Sequence, residues 1–446
     1  MSDTLFHRFC SVLDGLSLKP QQQIVIALGG GADSQTLLDC AMRYHRQHPH
    51  YRYLAIHLDH SFHPDSAQWS TTIEQAVKAY GVATNFEPLQ VDVLPRQSKE
   101  AAGRERRYQR LRELSDDDAV ILLGQHRNDQ IETLLLQLNR GSGPKGLAAM
   151  AEVHDWYDKR RLVRPLLSVS KKEIYAYARQ HQLTWIEDDT NYDTRIERNF
   201  LRHQVVPLLE QRWSQFGVSV LRSTRLCAEQ QAVLEELLDQ RLQQQLIEHP
   251  LLGSGLPVDS LRNHNAAMQR ALLRRWLEQA SSESTPLPSF QQLEQIRLQA
   301  QEARADTRMS VQCAGYQVRF YQMALWWVPE WPSAVQVKEI TKPGWHSLPE
   351  PWGRVWLDNE LVAAYPLVLQ QGLEPGKWQH PRRQGRKTQA DWLKQAQVPA
   401  WLRTSCPVLR VGQDWVWLPP VGWLSLRASE QNAPTLPEPR WSGTAL

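Results

Sequence analysis

The first half of the chain alternates between short apolar runs and amphipathic stretches. Apolar runs of strand length occupy residues 24–28, 53–58 and 119–123. Helical spacing follows the first run to about Tyr44, and it follows the second run from about Asp65 to Tyr80. Strands that alternate with helices build parallel sheets, so this pattern predicts an α/β domain with a doubly wound, mainly parallel sheet.

The α/β pattern continues to about Gly217. An amphipathic helix is predicted over 170–182, with Ser170 at its start because a serine hydroxyl suits the N-cap position. A short strand is predicted at 184–186. We therefore expect the first domain to span residues 1–217.

The second half of the chain shows two other patterns. Residues typical of helices recur at helical spacing over 221–246, 260–279 and 289–303. Residues 309–328 alternate as strands do, and prolines then mark a linker predicted near 330–345. We expect a small, mostly helical second domain at 218–330 and a compact, β-containing third domain at 345–446.

Composition excludes several classes of protein. The 446 residues are 41% hydrophobic and 22% charged, and no apolar run approaches the roughly 20 residues of a membrane-spanning helix. No basic stretch followed by an apolar one opens the sequence, so we expect a soluble, cytoplasmic protein that does not bind membranes. The five cysteines form no C-x-x-C pair, which argues against a disulfide framework or a cysteine-based metal site.

Charge is distributed unevenly along the chain. Lys and Arg total 51 against 48 Asp and Glu, so the formal net charge is only +3. Residues 376–410, in contrast, contain Asp391 as their single acid and are interleaved with Trp378, Trp392 and Trp401. The basic residues of this segment are Lys377, Arg382, Arg383, Arg386, Lys387, Lys394, Arg403 and Arg410. The segment predicts a basic and aromatic patch suited to a polyanion.

A glycine-rich turn joins the first predicted strand to its helix. The turn reads Gly29-Gly30-Gly31-Ala32-Asp33-Ser34. Glycine amides can approach phosphate oxygens and a helix N-terminus adds positive charge, so the turn predicts a phosphate site, with a tight structural turn as the alternative. The nucleotide loop that ends in Gly-Lys is excluded because no lysine follows. A dinucleotide fingerprint would need a glycine at Ser34, although Asp59 could serve as its ribose-binding acid.

Histidines follow the second predicted strand. The spacing of His57 and His60 invites a metal-site interpretation, and His57 shares a strand face with Asp59. No neighbouring carboxylates or cysteines complete a coordination shell, so we predict no dedicated metal site. Side chains at the carboxyl end of a parallel sheet are better suited to line a nucleotide pocket.

Two further segments place charged side chains on helix faces. Residues 100–108 put Arg104 and Arg107 on one face, which by itself fits a solvated basic helix. Asp129 and Glu132 share a face suited to holding an ammonium group and accepting its proton. Acids at a helix N-terminus also occur because they complement the helix dipole.

These segments, in this order, resemble the PP-loop ATP pyrophosphatases and, among them, the tRNA(Ile)-lysidine synthetase family. The glycine turn resembles that family's Ser-Gly-Gly-x-Asp-Ser loop, with Gly29 in place of the first serine. His57 and His60 match a His-x-x-His-Gly segment, in which Ser61 replaces the glycine. The helix at 100–108 is similar to Glu-Ala-x-Ala-Arg-x-x-Arg-Tyr.

The resemblance continues through the rest of the first domain. The segment 125–133 is similar to His-His-x-Asp-Asp-Gln-x-Glu-Thr, with departures at Gln125 and Asn128. Further matches lie at 140–147, 164–167, 188–191 and 198–202. The resemblance implies a two-step reaction on the wobble cytidine of an isoleucine tRNA with a CAU anticodon. The cytosine O2 is adenylated with release of pyrophosphate, and the ε-amine of L-lysine then attacks C2 and expels AMP, which forms lysidine.

The resemblance also assigns cofactors, partners and residue roles. ATP and Mg²⁺ are the cofactors, the tRNA and L-lysine are the partners, and a homodimer stays open. Catalytic roles fall to Asp33, Arg104, Asp129, Glu132 and Arg198, of which the two helix acids would orient and deprotonate lysine. ATP would be bound by Gly29, Gly30, Gly31, Ala32, Asp33, Ser34, His57 and His60. Salt-sensitive tRNA binding is expected from Arg107, Arg140, Arg202, Arg382, Arg383, Arg386, Lys387 and Arg403.

Three other functions stay open. A tRNA thiolase uses the same ATP chemistry, but sulfur delivery generally needs the paired cysteines that this sequence lacks. The departures at Gly29, Gln125 and Asn128 leave open a non-catalytic tRNA-binding paralogue or a different nucleophile. A nicotinamide dehydrogenase is disfavoured by Ser34.

Overall fold

The computed structural model describes residues 2–59, 63–91, 99–187, 192–281, 285–330, 337–372, 375–412, 415–426 and 437–443. His60 and the segment 188–191 lie outside the described residues. The chain forms two compact units, Met1–Val233 and Leu234–Leu446.

A six-stranded sheet forms the centre of the first unit. Its strands are β1 (Gln23–Leu28), β2 (Arg52–Asp59), β3 (Ala83–Pro88), β4 (Val120–Leu122), β5 (Val153–Trp156) and β6 (Arg160–Val163). They lie in the order β3-β2-β1-β4-β6-β5, and all neighbours are parallel except β5 and β6. The predicted doubly wound, mainly parallel sheet is confirmed.

Helices cover both faces of this sheet. They are α1 (Ser2–Asp14), α2 (Ala32–Gln47), α3 (Ser66–Lys78), α4 (Lys99–Leu114), α5 (Arg127–Asn139), α6 (Pro144–Leu147), α7 (Lys171–Gln180), α8 (Glu197–Phe200) and α9 (Val206–Arg212). Ile24 and Ile26 of β1 pack into the core shared with α1, α2, α3 and α7. Val25 packs into a second core with Leu111 of α4. Because β1 is buried on both faces, its sequence is apolar almost throughout.

The strand order reverses direction at β1. The chain runs outward from β1 through β2 to β3, and it later returns to place β4 on the other side of β1. In open parallel sheets the loops after two such strands diverge and leave a crevice, where ligands bind. These two loops begin at Gly29 and Leu123, which places the predicted phosphate turn at the switch point.

The second unit begins within α10 (Phe216–Gln245) and continues with helices packed on a sheet. The strands are β7 (Ile247–His249), β8 (Gly253–Pro257), β9 (Ser310–Cys313), β10 (Tyr316–Tyr321) and β11 (Ala324–Pro329), in the antiparallel order β7-β8-β11-β10-β9. The helices are α11 (Asp259–Arg262), α12 (Ala266–Ala280) and α13 (Phe290–Glu302). The second region contains the expected helices and also a five-stranded sheet, and α10, α11, α12 and α13 share one core with that sheet.

Two antiparallel sheets and short helices form the rest of this unit. A seven-stranded sheet contains β12 (Lys338–Ile340), β15 (Leu367–Gln371), β18 (Pro407–Val411), β19 (Trp415–Leu418), β20 (Gly422–Ser425), β16 (Trp378–Gln379) and β17 (Arg386–Lys387), in that spatial order. A three-stranded sheet contains β13 (Gly344–Ser347), β14 (Arg354–Leu357) and β21 (Arg440–Ser442). The helices are α14 (Asn359–Ala364) and α15 (Gln389–Gln395).

Some predicted elements differ from the structure for local reasons. Ser170 caps α7 as predicted. The strand predicted at 184–186 is wrong, because the segment forms no ladder and Ile186 donates a single backbone hydrogen bond to Gly30. The helix predicted over 260–279 is divided into α11 and α12, because the Asn265 side chain caps a new helix. The strand β12 and part of β13 lie within the predicted linker.

Candidate active site

The loop between β1 and α2 leaves room for an anionic ligand. Gly30 has a φ of +89°, and a Cβ on it would lie 2.7 Å from the Ile73 side chain. A Cβ on Gly31 would lie 2.8 Å from Asp33 Oδ1. Ser34 donates its hydroxyl to the Gly31 carbonyl at 3.0 Å, which stabilises the turn. The loop therefore has the glycines and the helix start that a phosphate group requires.

Asp33, at the start of α2, is paired with a lysine that the sequence analysis missed. Lys171 Nζ lies 3.3 Å from Asp33 Oδ1. Burial is the largest single influence on the Asp33 carboxyl and opposes its ionisation. The neighbouring charges, of which Lys171 contributes most, and the hydrogen bonds to the carboxylate together outweigh burial, so the pKa of Asp33 is lowered. The carboxylate is therefore ionised at neutral pH and able to contact a cation.

The same lysine marks the beginning of α7. Ser170 and Glu173 form a capping box there, and the backbone N–H of Lys171 donates to Asn128 Oδ1 at 3.0 Å. Asn128 belongs to α5, so its side chain joins the starts of two helices. Asn128, which departs from the family motif, therefore has the Lys171 backbone N–H as its hydrogen-bond partner.

The start of α5 brings a buried histidine next to an acid. His126 is the N-cap residue, and its backbone N–H donates to Asp129 Oδ2 at 2.9 Å. Its ring Nδ1 lies 3.5 Å from the same oxygen. Burial lowers the pKa of His126 despite the opposing charges of Asp129 and Asp33. The imidazole is therefore neutral at pH 7 and lies beside Asp129.

Arg202 connects the two acids that α5 presents. Its Nε donates to Glu132 Oε1 at 2.7 Å and its Nη2 to Glu132 Oε2 at 3.1 Å. The same Nη2 lies 3.4 Å from Asp129 Oδ1. Glu132 is 1% exposed and Asp129 is 13% exposed. Arg198 donates to Thr133 Oγ1 at 3.2 Å on the next position of the helix.

This pairing distinguishes the two acids chemically. Burial raises the pKa of Glu132, and the hydrogen bonds and charge of Arg202 oppose that rise. Both carboxylate oxygens of Glu132 are bound by one guanidinium, whereas Asp129 retains access to solvent. Asp129 is consequently the acid of this pair that a diffusing ligand can reach.

Gln125, the other departure on this segment, also has a partner. Arg164 Nε donates to Gln125 Oε1 at 3.1 Å, and Arg164 Nη1 donates to the Ala151 carbonyl at 2.8 Å. The amide of Gln125 thus helps to hold a buried arginine beside β6.

His57 contacts the backbone of the residue that precedes the glycine loop. Its Nδ1 lies 3.0 Å from the Leu28 carbonyl and its Nε2 lies 3.0 Å from Ser70 Oγ. Burial lowers the pKa of His57, so the ring is neutral. Both ring nitrogens contact the protein, which fixes the residue before Gly29. The structure therefore places His57 where it positions the loop.

The two arginines predicted on α4 are exposed. The Arg104 guanidinium lies 5.4 Å from the centroid of the Tyr108 ring. The positive charge of Arg107 contributes to the lowered pKa of His57. Arg140, which follows α5, is exposed as well. Such side chains can contact a polyanion.

The basic residues of the second unit that were predicted to bind tRNA differ in exposure, and their binding role stays a prediction. Arg382, Arg383 and Arg386 are exposed, and Arg403 donates to the Val398 carbonyl at 2.9 Å. Lys387 donates to Gln395 Oε1 at 2.8 Å. The aromatic component is wrong, because Trp378 is 1% exposed and Trp392 is 0% exposed. These tryptophans form the core beneath the basic side chains instead of a binding surface.

Family models match three segments of the chain. A PP-loop domain matches residues 3–209, a TilS substrate binding domain matches 256–326, and a TilS substrate C-terminal domain matches 367–438. With the glycine loop at the switch point, these matches define the class as a PP-loop enzyme that uses ATP. No described helix has both the length and the apolar character needed to cross a membrane.

Known relatives define the family more narrowly. The chain is 56% identical to a tRNA(Ile)-lysidine synthase of Idiomarina loihiensis, with 99% of this chain and 97% of the relative covered. It is 37% identical to a tRNA(Ile)-lysidine synthase of Vibrio cholerae, with 88% and 89% covered. The chain therefore belongs to the tRNA(Ile)-lysidine synthase family. Among solved structures, a U34-tRNA thiolase of Methanococcus maripaludis matches at a TM-score of 0.43 and 17% identity, covering 51% of this chain and 79% of that chain.

Proposed function

We propose that this protein forms lysidine on the wobble cytidine of a tRNA(Ile) with a CAU anticodon. In the first step the cytosine O2 forms a bond to the α-phosphorus of ATP, and pyrophosphate leaves. In the second step the lysine ε-nitrogen forms a bond to C2, the C2–O bond breaks, and AMP leaves. The observation that carries this proposal is the glycine loop with an ionised Asp33, next to the solvent-accessible acid Asp129.

The glycine loop and Asp33 would serve the first step. Amides of the loop would bind phosphate oxygens, and Lys171 would contribute positive charge near the phosphates. The ionised carboxylate of Asp33 would hold a Mg²⁺ ion, which would supply positive charge to stabilise the departing pyrophosphate. Arg104 and Arg198 would stabilise further phosphate charge or contact the anticodon loop.

Asp129 would serve the second step. An ammonium group must lose a proton before its nitrogen can attack, and Asp129 is the more accessible acid of the pair, which could hold the ammonium and direct that loss. Glu132 would act through Arg202, because both of its oxygens are bound there. We therefore propose that Glu132 positions Arg202, with Asp129 in contact with lysine.

The cysteines offer little support for a thiolase. The described structure contains Cys10, Cys40, Cys227, Cys313 and Cys406 as free thiols. Cys40 is the one nearest in sequence to the loop, and burial raises its pKa to about 12. A buried thiol with so high a pKa is a poor nucleophile at neutral pH.

The experiment that tests this function is transfer of labelled lysine to a tRNA(Ile) transcript in the presence of ATP and Mg²⁺. A transcript that differs only in carrying a GAU anticodon, which has no wobble cytidine, is the matched control. We expect lysine incorporation into the CAU transcript alone, with one pyrophosphate released for each lysine. Tight binding of the CAU transcript without either product would contradict the proposal and favour a non-catalytic paralogue.

A further inference from the structure

One face of the three-stranded sheet β13-β14-β21 presents tryptophan and arginine side chains to solvent. Trp345 lies opposite Trp356 in the antiparallel register, and Trp356 lies opposite Arg440. Trp345 is 47% exposed and Trp356 is 37% exposed. The other face packs Val355 and Leu357 into the core, so these exposed rings are not needed to fill it.

A second arginine on this face, Arg354, packs against the Trp345 ring. The Arg354 guanidinium lies 4.4 Å from the centroid of the Trp345 ring, and the Trp345 and Trp356 rings lie 5.7 Å apart at 68°. No ion pair with a described carboxylate involves Arg354 or Arg440. The remaining outward positions of the three strands are Ser347 and Ser442. The face thus combines aromatic rings with positive charge and has no acid of its own.

This combination restricts what the face can bind. A second copy of the same face would bring Arg354 and Arg440 near their own counterparts without a carboxylate to compensate them. A nucleic-acid strand has the complementary chemistry, because bases stack on indole rings and phosphates pair with guanidinium groups. Bases inside a duplex are already stacked on one another, so an unpaired segment fits best.

We propose that this face, defined by Trp345, Arg354, Trp356 and Arg440, binds unpaired nucleotides of an RNA strand. A base stacks on the exposed indole rings, and the adjoining phosphates contact the two arginines. The three strands lie outside the segments 256–326 and 367–438 that the family models match in this unit. The site is therefore an RNA contact additional to the reaction centre and to the basic residues at 382–403.

Binding of a short, labelled, single-stranded RNA to the full chain tests this proposal through fluorescence anisotropy. Trp345→Ala and Trp356→Ala should each raise the Kd about fivefold or more, because stacking on one aromatic ring is typically worth at least that factor. Trp345→Phe retains a ring and should recover most of the affinity. Tyr365→Ala, an exposed aromatic residue of the same unit outside the three strands, should leave the Kd unchanged.

The same variants separate base stacking from phosphate binding and from self-association. The probe carries no anticodon loop, so its binding can fail while lysidine formation succeeds, or succeed while lysidine formation fails. An unchanged Kd in both alanine variants would overturn the proposal. So would an equal loss of affinity for a duplex of the same length, which would indicate phosphate binding alone. A change in sedimentation of the Trp345→Ala variant without a change in RNA affinity would instead assign the face to self-association.

Discussion

Lys171 is the residue whose role most depends on the fold. It stands next to Lys172 in the sequence, and nothing in the segment distinguishes the two lysines. In the structure Lys171 reaches Asp33, which is separated from it by 138 residues, whereas Lys172 is exposed on the first turn of α7. The pairing could not be predicted because it depends on how α2 and α7 pack.

Replacing Lys171 should reduce the use of ATP. Lys171→Met removes the charge that lowers the pKa of Asp33, and we expect kcat/KM for ATP to fall about tenfold or more. The measurement is pyrophosphate release at varied ATP concentration. Lys172→Met is the matched control and should retain wild-type kinetics. Equal effects of the two substitutions would contradict the role assigned to Lys171.

The glycine loop allows a comparison of two identical substitutions. No atom lies within 4 Å of a Cβ placed on Gly29, so Gly29→Ser should fold normally and return the hydroxyl of the family motif to the loop. We expect the KM for ATP to fall by about two- to tenfold, as one added hydrogen bond would give. Measured KM values that are unchanged or higher would contradict this expectation.

Gly31→Ser provides the opposite case. A Cβ on Gly31 would lie 2.8 Å from Asp33 Oδ1 and would displace the carboxylate from Lys171. We expect lower kcat/KM for ATP with little change in thermal stability, because the clash affects a partly exposed side chain. Retention of full activity would show that Asp33 does not need its observed position.

At the scale of elements, the site is assembled from the starts of three helices. The start of α2 contributes Asp33, the start of α5 contributes Asp129, and the start of α7 contributes Lys171. Asn128 links α5 to α7 through its hydrogen bond to the Lys171 backbone. The N-terminal, positive ends of the three helix dipoles therefore lie close to one another beside the glycine loop.

His126, at the start of α5, should make stability depend on pH. Because burial lowers its pKa below the ordinary value of 6.5, the unfolded state binds the proton more tightly. Its contribution is therefore fully present above pH 6.5 and is lost as the pH falls below that value. Asp129 and Asp33 oppose the loss, while Lys171 and Arg202 favour it.

The measurement is the midpoint of thermal unfolding at pH 7.5 and at pH 5.5. His126→Asn keeps a good N-cap residue and should show a smaller drop between the two pH values than the wild type. His154→Asn replaces an exposed histidine of the same unit and should leave the drop unchanged. An identical pH dependence in all three proteins would contradict the assignment to His126.

The elements show why some features were predictable and others were not. Regular periodicity predicted the parallel sheet and the strands within 309–328, and the residue type predicted the cap at Ser170, because these features depend on local sequence. β8 was missed because Gly255 has low strand propensity, and it is glycine because a Cβ would lie 2.5 Å from the Trp326 ring. Burial of Trp378 could not be predicted from a segment rich in exposed arginines.

The departures at Gln125 and Asn128 were interpretable only in three dimensions. From the sequence these departures left open a non-catalytic tRNA-binding paralogue or a different nucleophile. In the structure Gln125 accepts a hydrogen bond from Arg164, and Asn128 accepts one from the Lys171 backbone. Both side chains form hydrogen bonds that hold the residues around the site in place, so they give no reason to expect an inactive enzyme.

At the scale of the whole molecule, the three family models match separate segments of the chain. The PP-loop match covers 3–209, and the two substrate-domain matches lie beyond it. The predicted domain boundaries at 217, 330 and 345 stay predictions. Substitutions in the reaction centre, such as the replacement of Asp129, should therefore abolish lysidine formation while the protein still binds tRNA.

The most direct test of this account is labelled lysine transfer by the wild type and by Asp129→Asn. Asparagine retains an oxygen that can accept from the His126 backbone, so the variant should fold and bind the tRNA with unchanged Kd. We expect ATP-dependent lysine incorporation by the wild type and at least a hundredfold slower incorporation by the variant, as expected for removal of a general base. Wild-type rates in the variant, or no incorporation by the wild type, would contradict the central claim that Asp129 activates lysine for lysidine formation.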